Sequence, residues 1–245
     1  MSEHGAQSLP LQGKSALVTG ASRGIGAAVS LALAAAGARV ALLARTRAAL
    51  DDVAMRAGND SFPVECDLSS AASTDSAVEV VRATLGGPPD ILVNNAGLFT
   101  IRGVEDTTVA DFDSIIATNL RAPFVMIHAF LADMRARGYG HIVTIGSVGD
   151  RTIYAGNAAY SATKFGARAM HEVLREETRG SGVRATLVSP AAVSTDIWDP
   201  IQYFGTDVRP DRSSMLDVSA VARAVVYAVS EASQVNVDEL RLSRS

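Results

Sequence analysis

Residues 14–37 read KSALVTGASRGIGAAVSLALAAAG, an apolar run, a glycine-rich turn and an alanine-rich run in that order. The apolar run predicts a strand, and the alanine-rich run predicts a helix that ends near Gly37, where a capping glycine belongs. Gly20, Gly24 and Gly26 in the turn are spaced G-x-x-x-G-x-G. Such a turn lets the backbone approach a pyrophosphate and points the helix N-terminus at its negative charge. The stretch therefore predicts a nucleotide site at the start of an α/β fold.

The same alternation continues along the chain. Further strands are predicted at 39–44, 62–66, 91–93, 141–145, 183–188 and 236–242. Apolar strands that alternate with helices are typical of a parallel sheet covered on both faces. We predict an α/β fold, a single-domain Rossmann-like, doubly wound parallel sheet of about seven strands with helices on both faces. Right-handed crossovers then place every strand's carboxyl end at one edge, where ligands bind.

Length and composition suit one domain. The chain has 245 residues, 48% of them hydrophobic, which is enough to bury a sizeable core. We expect residues 1–12 to form a flexible arm and residues 13–245 to form a single dinucleotide-binding catalytic domain, with a substrate loop at about 190–215. The net charge of −4 and the lack of a basic block argue against nucleic acid or an anionic membrane as partner.

Targeting and metal signals are weak. The first residues contain no apolar stretch of the signal-peptide type, and the most apolar window, 27–44, is interrupted by Gly37, so it predicts a helix and a strand rather than a membrane span. We expect a soluble cytoplasmic protein. The single cysteine, Cys66, is expected to be a small buried residue, and His4, His128 and His141 show no metal-ligand spacing, so no metal site is predicted.

The end of the second predicted strand indicates which dinucleotide binds. An acidic residue there would hold a ribose 2′-hydroxyl, but this chain has Arg45, and Arg23 lies in the glycine turn. Two guanidinium groups suit a 2′-phosphate, which favours NADP(H). The alternative is that both arginines are solvated surface residues. Asp67, after the third strand, is placed either to accept a hydrogen bond from the adenine amino group or to cap the next helix.

Tyr160 and Lys164 carry the chemistry that we predict. They stand four residues apart in a predicted helix, so they share one helical face. An ammonium about 4 Å from a phenol favours phenolate by roughly 4 kcal/mol at an effective dielectric of 20, equivalent to about three pH units before desolvation. Ser147, after the fifth strand, would donate a neutral hydroxyl to the same substrate oxygen. The alternative is a surface lysine beside a half-buried tyrosine.

Several motifs together resemble the compact single-domain branch of the short-chain dehydrogenase/reductase family. They are TGASRGIG (19–26), Asp67, NNAG (94–97), Asn119, Ser147, Tyr160-x-x-x-Lys164 and Pro190…Thr195. The resemblance implies an Asn119-Ser147-Tyr160-Lys164 catalytic tetrad and hydride transfer between nicotinamide C4 and a carbonyl or alcohol carbon. It also implies that Lys164 bonds the nicotinamide ribose, that Thr195 holds the carboxamide, and that the protein is a homotetramer.

Mapped onto this chain, the expected cofactor-binding residues are Gly20, Ser22, Arg23, Gly24, Ile25, Gly26, Arg45, Asp67, Leu68, Asn95, Ala96, Gly97, Tyr160, Lys164, Pro190 and Thr195. The expected substrate-binding residues are Ser147, Tyr154, Tyr160, Ala192 and Trp198. The aromatic residues of the irregular stretch, Trp198, Tyr203 and Phe204, would either form a lid over an apolar or ring-bearing substrate or simply pack together.

Two features depart from a regular pattern. Ala191 and Ala192 follow Pro190 where the family often has Pro-Gly, and the added Cβ would narrow the space near the nicotinamide or shift the loop. Pro123 lies four residues after Asn119 in a helical stretch, so it has no N–H to offer the Asn119 carbonyl. We expect a distorted helix there and a carbonyl able to hold a water that passes protons toward Lys164.

The favoured function is an NADPH-dependent oxidoreductase that acts on a small carbonyl or secondary alcohol substrate, with Tyr160 as general acid and base. An NAD-linked alcohol dehydrogenase and a non-catalytic NADP-sensing module on the same fold are the alternatives. A sugar-nucleotide epimerase is disfavoured because too little chain follows residue 195 for a second domain. A homo-oligomer is expected from the resemblance alone.

Overall fold

A single parallel sheet organises the protein, whose computed structural model describes residues 9–245. Its strands are β1 (Ser15–Thr19), β2 (Arg39–Ala44), β3 (Phe62–Glu65), β4 (Ile91–Asn94), β5 (Gly140–Ile145), β6 (Val183–Pro190) and β7 (Glu239–Leu242). Their order in the sheet is β3-β2-β1-β4-β5-β6-β7, and every neighbouring pair is parallel. The predicted doubly wound sheet is thus confirmed, and the direction of winding changes between β1 and β4.

Helices cover both faces of the sheet. They are α1 (Gly24–Ala35), α2 (Arg47–Ala57), α3 (Ala71–Leu85), α4 (Val109–Ile116), α5 (Ala122–Ala136), α6 (Ala158–Thr178) and α7 (Val218–Ser230). One core cluster joins the sheet to α1, α2 and α7, and a second joins it to α3, α5 and α6. Adjacent residues of β1 show why both faces are apolar, since Val18 lies in the first cluster and Leu17 in the second.

The apolar window at 27–44 folds as the sequence predicts. It forms the end of α1, a turn at Gly37 with φ of +104°, and β2. Only small shifts separate other predicted and observed boundaries: β6 continues to Pro190, and β7 begins at Glu239 rather than at 236. All seven predicted strands are present in the predicted order, and these two predicted ends differ from the observed ends by two or three residues.

The helical region before β5 contains the expected distortion. Between α4 and α5 the chain makes a π-helical turn over Ala117–Arg121, in which the Ala122 N–H donates to the Ala117 carbonyl. Pro123 lies just after this turn. The wider turn accommodates the proline, which has no N–H to donate to the Asn119 carbonyl. The distortion is therefore a π-bulge, and it holds the buried Asn119 at its centre.

Length and composition alone would allow the run Val109–Ala136 to cross a membrane. In the fold, one face of its α5 half is buried in the second core cluster through Met126, Phe130 and Met134. Packing against the sheet therefore explains the apolar character of that face.

The predicted N-terminal arm lies mostly outside the described residues, because residues 1–8 are not among them. The last part of the predicted arm packs on the domain. Leu11 is buried in the first core cluster, and its N–H donates to the Ala36 carbonyl over 2.8 Å. Residues 9–12 are thus held by the turn that follows α1.

Two histidines are buried inside the domain. His141 on β5 pairs through Nε2 with the Thr186 hydroxyl at 2.8 Å, and His171 on α6 pairs through Nδ1 with the Thr144 hydroxyl at 3.0 Å. Burial is the largest cause that lowers the pKa of His141 to about 3 and that of His171 to about 4. Both imidazoles are therefore neutral at physiological pH and serve as polar links within the core.

This burial makes folding sensitive to mild acid. The unfolded chain takes up protons near pH 6.5, whereas the folded imidazoles do so only near 4 and 3. Stability is therefore fully present above pH 6.5 and is lost as the pH falls toward those values. The His171 shift alone corresponds to roughly 3 kcal/mol at about 1.4 kcal/mol per pH unit.

Urea unfolding between pH 7 and 5.5 should show this loss, and His171→Gln should reduce the slope of the free energy of unfolding against pH. Replacing the exposed His128 with Gln should leave the slope unchanged, and equal slopes in all three proteins would contradict the assignment.

Candidate active site

Many of the predicted site residues lie in segments at the ends of four strands. The glycine turn follows β1, NNAG closes β4, Ser147 follows β5, and the Pro190 loop closes β6. Since the strands are parallel, these segments meet at one edge of the sheet. The change of winding direction lies between β1 and β4, so the glycine turn and NNAG face each other there.

The glycine turn is built so closely that side chains are excluded. Gly20 and Gly24 have φ of +66° and +56°, a conformation that glycine adopts without strain. A Cβ on Gly26 would lie 2.1 Å from the Gly20 carbonyl oxygen and 2.6 Å from Nδ2 of Asn95. The turn therefore exposes backbone at the N-terminus of α1, which is the cradle that a pyrophosphate requires.

Hydrogen bonds lock NNAG against this turn. The Thr19 hydroxyl oxygen accepts from the N–H groups of Asn95 and Ala96, at 3.0 and 3.1 Å, and the Asn95 amide donates to the Thr19 carbonyl at 2.9 Å. On the open side, a Cβ on Gly24 would lie 3.2 Å from the Thr195 side chain. The glycine turn, NNAG and Thr195 thus border one cleft.

The charged residues predicted to recognise the cofactor are exposed at this edge. Arg23 and Arg45 are both exposed. Asp67 accepts from the N–H and the hydroxyl of Ser69, and these bonds, with a smaller contribution from Arg45, lower its pKa. Ser70, rather than Asp67, caps α3. The capping alternative for Asp67 is therefore wrong.

Asn119 acts on the backbone next to NNAG. Its side-chain oxygen accepts from the Leu98 N–H at 2.7 Å, and its Nδ2 donates to the Leu98 carbonyl at 2.8 Å and to the Thr163 hydroxyl at 3.3 Å. The amide thereby ties the segment after β4 to α6, the helix that carries Tyr160 and Lys164.

Tyr160, Lys164 and Ser147 come together as the sequence predicts. The Lys164 ammonium lies 5.6 Å from the centre of the Tyr160 ring and donates to the Ile145 carbonyl at 3.0 Å. The Ser147 oxygen accepts from the Gly149 N–H at 3.0 Å, which fixes the hydroxyl beside the phenol. A Cβ on Gly149 would lie 3.4 Å from Ser147 Oγ and 3.5 Å from the Tyr160 ring, so this glycine is the near neighbour of both.

The predicted direction of the Tyr160 pKa shift is wrong for the chain by itself. Burial raises the pKa of the phenol, and the Ser147 hydroxyl offsets only part of this effect. Burial also lowers the pKa of Lys164, to about 8. Attraction between a phenolate and an ammonium would lower the pKa of the phenol at a solvated site, but here desolvation is the largest effect on both groups.

Aromatic rings line the entrance to Tyr160. Phe99 packs edge-on against Tyr160 and against Trp198, with ring centres 4.7 and 5.0 Å apart. The Trp198 indole donates to the Val193 carbonyl at 2.9 Å, which fixes the ring at the start of the irregular stretch. Phe204, farther along that stretch, contacts two glycines of other loops: a Cβ on Gly103 would lie 3.2 Å from it, and a Cβ on Gly156 would lie 2.9 Å away.

Tyr154, another residue predicted to bind substrate, lines a separate groove of about 440 Å³ with Val104 and Phe165. It is about half exposed.

The loop after β6 is held at both of its alanines. The Ala191 N–H donates to the Leu242 carbonyl of β7, and the Ala192 carbonyl accepts from the Leu216 N–H, both at 2.8 Å. Ala192, which is predicted to contact substrate, is exposed. The alanines that follow Pro190 thus belong to a loop that is tied to β7 and to the segment just before α7.

Three residues near the site escaped the sequence argument. Phe99 stands two positions after NNAG, and its place after a strand was a usable signal. Asp150 and Ser189 are 39 residues apart in sequence but share a 2.6 Å hydrogen bond beside Ser147. Nothing in their local sequence indicates this contact, because it forms only when β5 and β6 pair.

Comparison with known proteins agrees with this geometry. A family profile described as short chain dehydrogenase matches residues 14–204. Glycine betaine reductase ATRR of Emericella nidulans is 34% identical over 240 aligned positions, which cover 94% of this chain and 19% of that protein. The chain therefore spans about a fifth of ATRR. An uncharacterized oxidoreductase of Staphylococcus aureus strain MW2 is 32% identical, with 94% of this chain and 96% of that protein covered.

A solved structure is similar throughout. A metagenomic short-chain oxidoreductase crystallised in complex with NADP shares 32% identity and a TM-score of 0.82, with 96% of this chain and all of that chain covered (100%). The protein belongs to the short-chain dehydrogenase family. It is accordingly an oxidoreductase, and the glycine cradle described above fits the nicotinamide cofactors that the family binds.

The glycine cradle gives a direct prediction about stability. Gly26→Ala forces a Cβ to within 2.1 Å of backbone and should destabilise the fold by about 2–4 kcal/mol. Gly97→Ala is the matched control, since its Cβ would meet ordinary contacts at 3.6 Å and should cost less than about 1 kcal/mol. Urea denaturation measures both. A Gly26→Ala protein as stable as the Gly97→Ala protein would show that the turn is looser than described.

Proposed function

We propose that this protein is an NADP(H)-dependent oxidoreductase that interconverts a carbonyl and a secondary alcohol on a small organic substrate, with Tyr160 as general acid and base. The observation that carries the proposal is the half-buried Tyr160 phenol over the buried Lys164, with Ser147 beside them, at the edge that also holds the glycine cradle. A module that only senses the cofactor would have no use for a buried ammonium beneath a phenol.

The choice of NADP(H) rests on the charges at the cofactor edge. Arg45 follows β2 at the position where an acidic side chain would hold a bare ribose, and Arg23 lies in the glycine turn. Guanidinium groups form bidentate, charge-assisted bonds with phosphate oxygens. The NADP complex of the similar metagenomic oxidoreductase supports the same choice. In the cleft, Asn95, Lys164, Pro190 and Thr195 would hold the nicotinamide half.

Ser147, Tyr160 and Lys164 each have a separate role in the proposed reduction of the carbonyl group. The bound reduced cofactor supplies the hydride that is added to the carbonyl carbon. Ser147 and Tyr160 donate hydrogen bonds to the carbonyl oxygen, and Tyr160 passes its proton to that oxygen as negative charge develops. Lys164, which is mostly protonated at neutral pH with a pKa of about 8, stabilises the phenolate that remains. In the direction of oxidation, the phenolate takes the alcohol proton.

The proton must then be returned to Tyr160 from solvent. The π-bulge at Asn119 removes the usual helical donor from its carbonyl, because Pro123 has no N–H. We propose that this carbonyl holds a water on the route toward Lys164. A crystal structure with the Asn119 carbonyl bonded only within the helix, and no water between it and Lys164, would reject this route.

The walls of the site favour an apolar or ring-bearing substrate. Phe99 packs against both Tyr160 and Trp198, and Phe204 lies close to Gly103 and Gly156. Aromatic rings stabilise apolar ligands by burial and offer little to a charged one. We propose that residues 190–215 act as the lid of the substrate site.

Exposed apolar residues on the helices next to this edge support a homo-oligomer, proposed as a tetramer. Phe112, Phe124 and Phe165, on α4, α5 and α6, are 41%, 56% and 40% exposed. Light scattering that finds a monomer at micromolar concentration would reject the proposed homo-oligomer.

We also propose a cytoplasmic location, for which fractionation of the source cell is the test.

The proposed chemistry predicts the effect of removing one hydroxyl. Tyr160→Phe keeps the ring contact with Phe99 but removes the general acid, so kcat for NADPH-dependent reduction of a panel of ketones should fall about 10²–10⁴-fold. Tyr227→Phe is the matched control, because this phenol on α7 is 55% exposed and has no lysine four residues further on, and it should keep near-normal kcat. Equal activity of the two variants would reject the catalytic assignment, and a wild-type protein that binds NADPH but reduces none of the ketones would favour the sensing module.

Cofactor preference provides a second, independent test. Arg45→Ala should lower kcat/KM for NADPH about 10–100-fold, because a charge-assisted bond to phosphate contributes roughly 1.5–3 kcal/mol, and should leave NADH kinetics unchanged. Arg47→Gln is the control, since Arg47 is also exposed but pairs with Asp51. A wild-type enzyme that prefers NADH would refute the role given to Arg45 and would favour the NAD-linked alcohol dehydrogenase.

A further inference from the structure

Asp150 is a buried carboxylate that the reaction scheme above does not use. It is 1% exposed and lies three residues after Ser147, at the end of a short 3₁₀ turn, Val148–Asp150. The Ser189 hydroxyl donates to Oδ2 at 2.6 Å, and Arg151 Nε donates to Oδ1 at 2.7 Å. A buried carboxylate costs several kcal/mol unless it is paired and hydrogen-bonded, and both partners are present here.

The carboxylate joins the two loops that border the reacting groups. The Asp150 N–H donates to the Ser147 carbonyl at 2.9 Å, so the residue closes the turn that carries the Ser147 hydroxyl. Its partner Ser189 directly precedes Pro190 at the end of β6. A Cβ on Gly146 would lie 2.7 Å from Ser189 Oγ and 3.0 Å from Asp150 Oδ2, which shows how closely this junction is packed.

The negative charge of Asp150 also acts on the catalytic pair. Gly146 links this carboxylate to Lys164 in the fold, because a Cβ on Gly146 would lie 3.0 Å from Asp150 Oδ2 and the carbonyl of the preceding residue, Ile145, accepts from Lys164 Nζ at 3.0 Å. Across this short separation the charge of Asp150 raises the pKa of Lys164 against the effect of burial, and it raises that of Tyr160 as well. The other charges that face this carboxylate are those of Arg151 on its own turn and of Glu239 on β7, and Arg151 pairs with both acids. Since burial already brings the pKa of Lys164 down to about 8, the ammonium has little margin at neutral pH.

We propose that Asp150 is a positioning residue for the Tyr160–Lys164 pair: its buried carboxylate fixes the Ser147 loop against the end of β6 and places a negative charge near the Lys164 ammonium. The catalytic meaning of this role rests on the function proposed above. The electrostatic part concerns the folded chain alone and can be measured without substrate or cofactor.

The lysine content of the chain makes that measurement clean. Lys164 and Lys14 are its only lysines, and Lys14 stacks on Tyr139, a residue of the loop before β5. Protein labelled with ¹³C at lysine Cε gives two NMR signals, which Lys14→Arg assigns. In the wild type, the Lys164 signal should titrate near pH 8, and Lys14 serves as the internal reference.

Three variants separate charge from shape. Asp150→Asn keeps the shape and removes the charge, so the Lys164 midpoint should fall by about half to one pH unit. Ser189→Ala removes a hydrogen bond of Asp150 but keeps the charge, so the midpoint should stay in place. Arg151→Gln removes the counter-ion and should move the midpoint upward, and it keeps the test decisive if Asp150→Asn fails to fold. A midpoint unchanged in both Asp150→Asn and Arg151→Gln, or moved in the same direction by both, would overturn the proposal.

The pH profile of alcohol oxidation provides the catalytic readout. The rising limb of the kcat/KM profile reports deprotonation of Tyr160, whose pKa Asp150 raises. This limb should therefore move to lower pH in Asp150→Asn and stay in place in Ser189→Ala. A merely structural role would lower kcat at every pH without moving the limb. A shifted Lys164 midpoint in a protein that oxidises no alcohol and reduces no ketone would support the role of Asp150 and reject the proposed function instead.

Discussion

The tight contact between the glycine turn and the end of β4 is the constraint on which the rest of this protein depends. A single hydroxyl, that of Thr19, receives two backbone N–H groups from Asn95 and Ala96, and Gly26 lies so close to Gly20 that no side chain fits. This junction fixes the N-terminus of α1 at the point where the sheet changes its direction of winding. The cofactor cleft follows from that position, because the other segments of the site are the ends of strands that run parallel to β1.

Within the cleft, desolvation is the effect that decides the electrostatics. A solvated tyrosine and lysine would stabilise each other's charged forms, but burial here raises the pKa of the phenol and lowers that of the ammonium. Neighbouring groups offset part of these shifts. The half-buried Ser147 hydroxyl lowers the pKa of the phenol, the Ile145 carbonyl accepts from the ammonium, and the buried Asp150 carboxylate raises the pKa of Lys164. The protonation of Tyr160 and Lys164 therefore depends jointly on α6, on the loop at Ser147 and on the end of β6, and no single residue determines it.

Much of the fold could be predicted from sequence because its signals are local. Strand and helix periods, capping glycines and the proline that produces the π-bulge are each read within a few residues of chain, and the segments that follow the strands must share one edge of a parallel sheet. Contacts made by folding were not predictable in this way. Asp150 meets Ser189 across 39 positions, and Phe99 meets Trp198 only once the irregular stretch has folded back over the site. The direction of the Tyr160 pKa shift was predicted wrongly for a related reason, because the burial that raises this pKa exists only in the folded chain.

The seat of Phe204 has a consequence for how molecules enter and leave. The ring rests against Gly103 and Gly156, which belong to two different loops, so one aromatic residue holds three separate segments together. In the lid proposed for residues 190–215, exchange of a bound molecule would require these three segments to separate, and the rate of turnover would then be set by that opening instead of by bond making. Because neither glycine has a side chain to trim, widening the portal for bulkier molecules would have to begin at Phe204 itself.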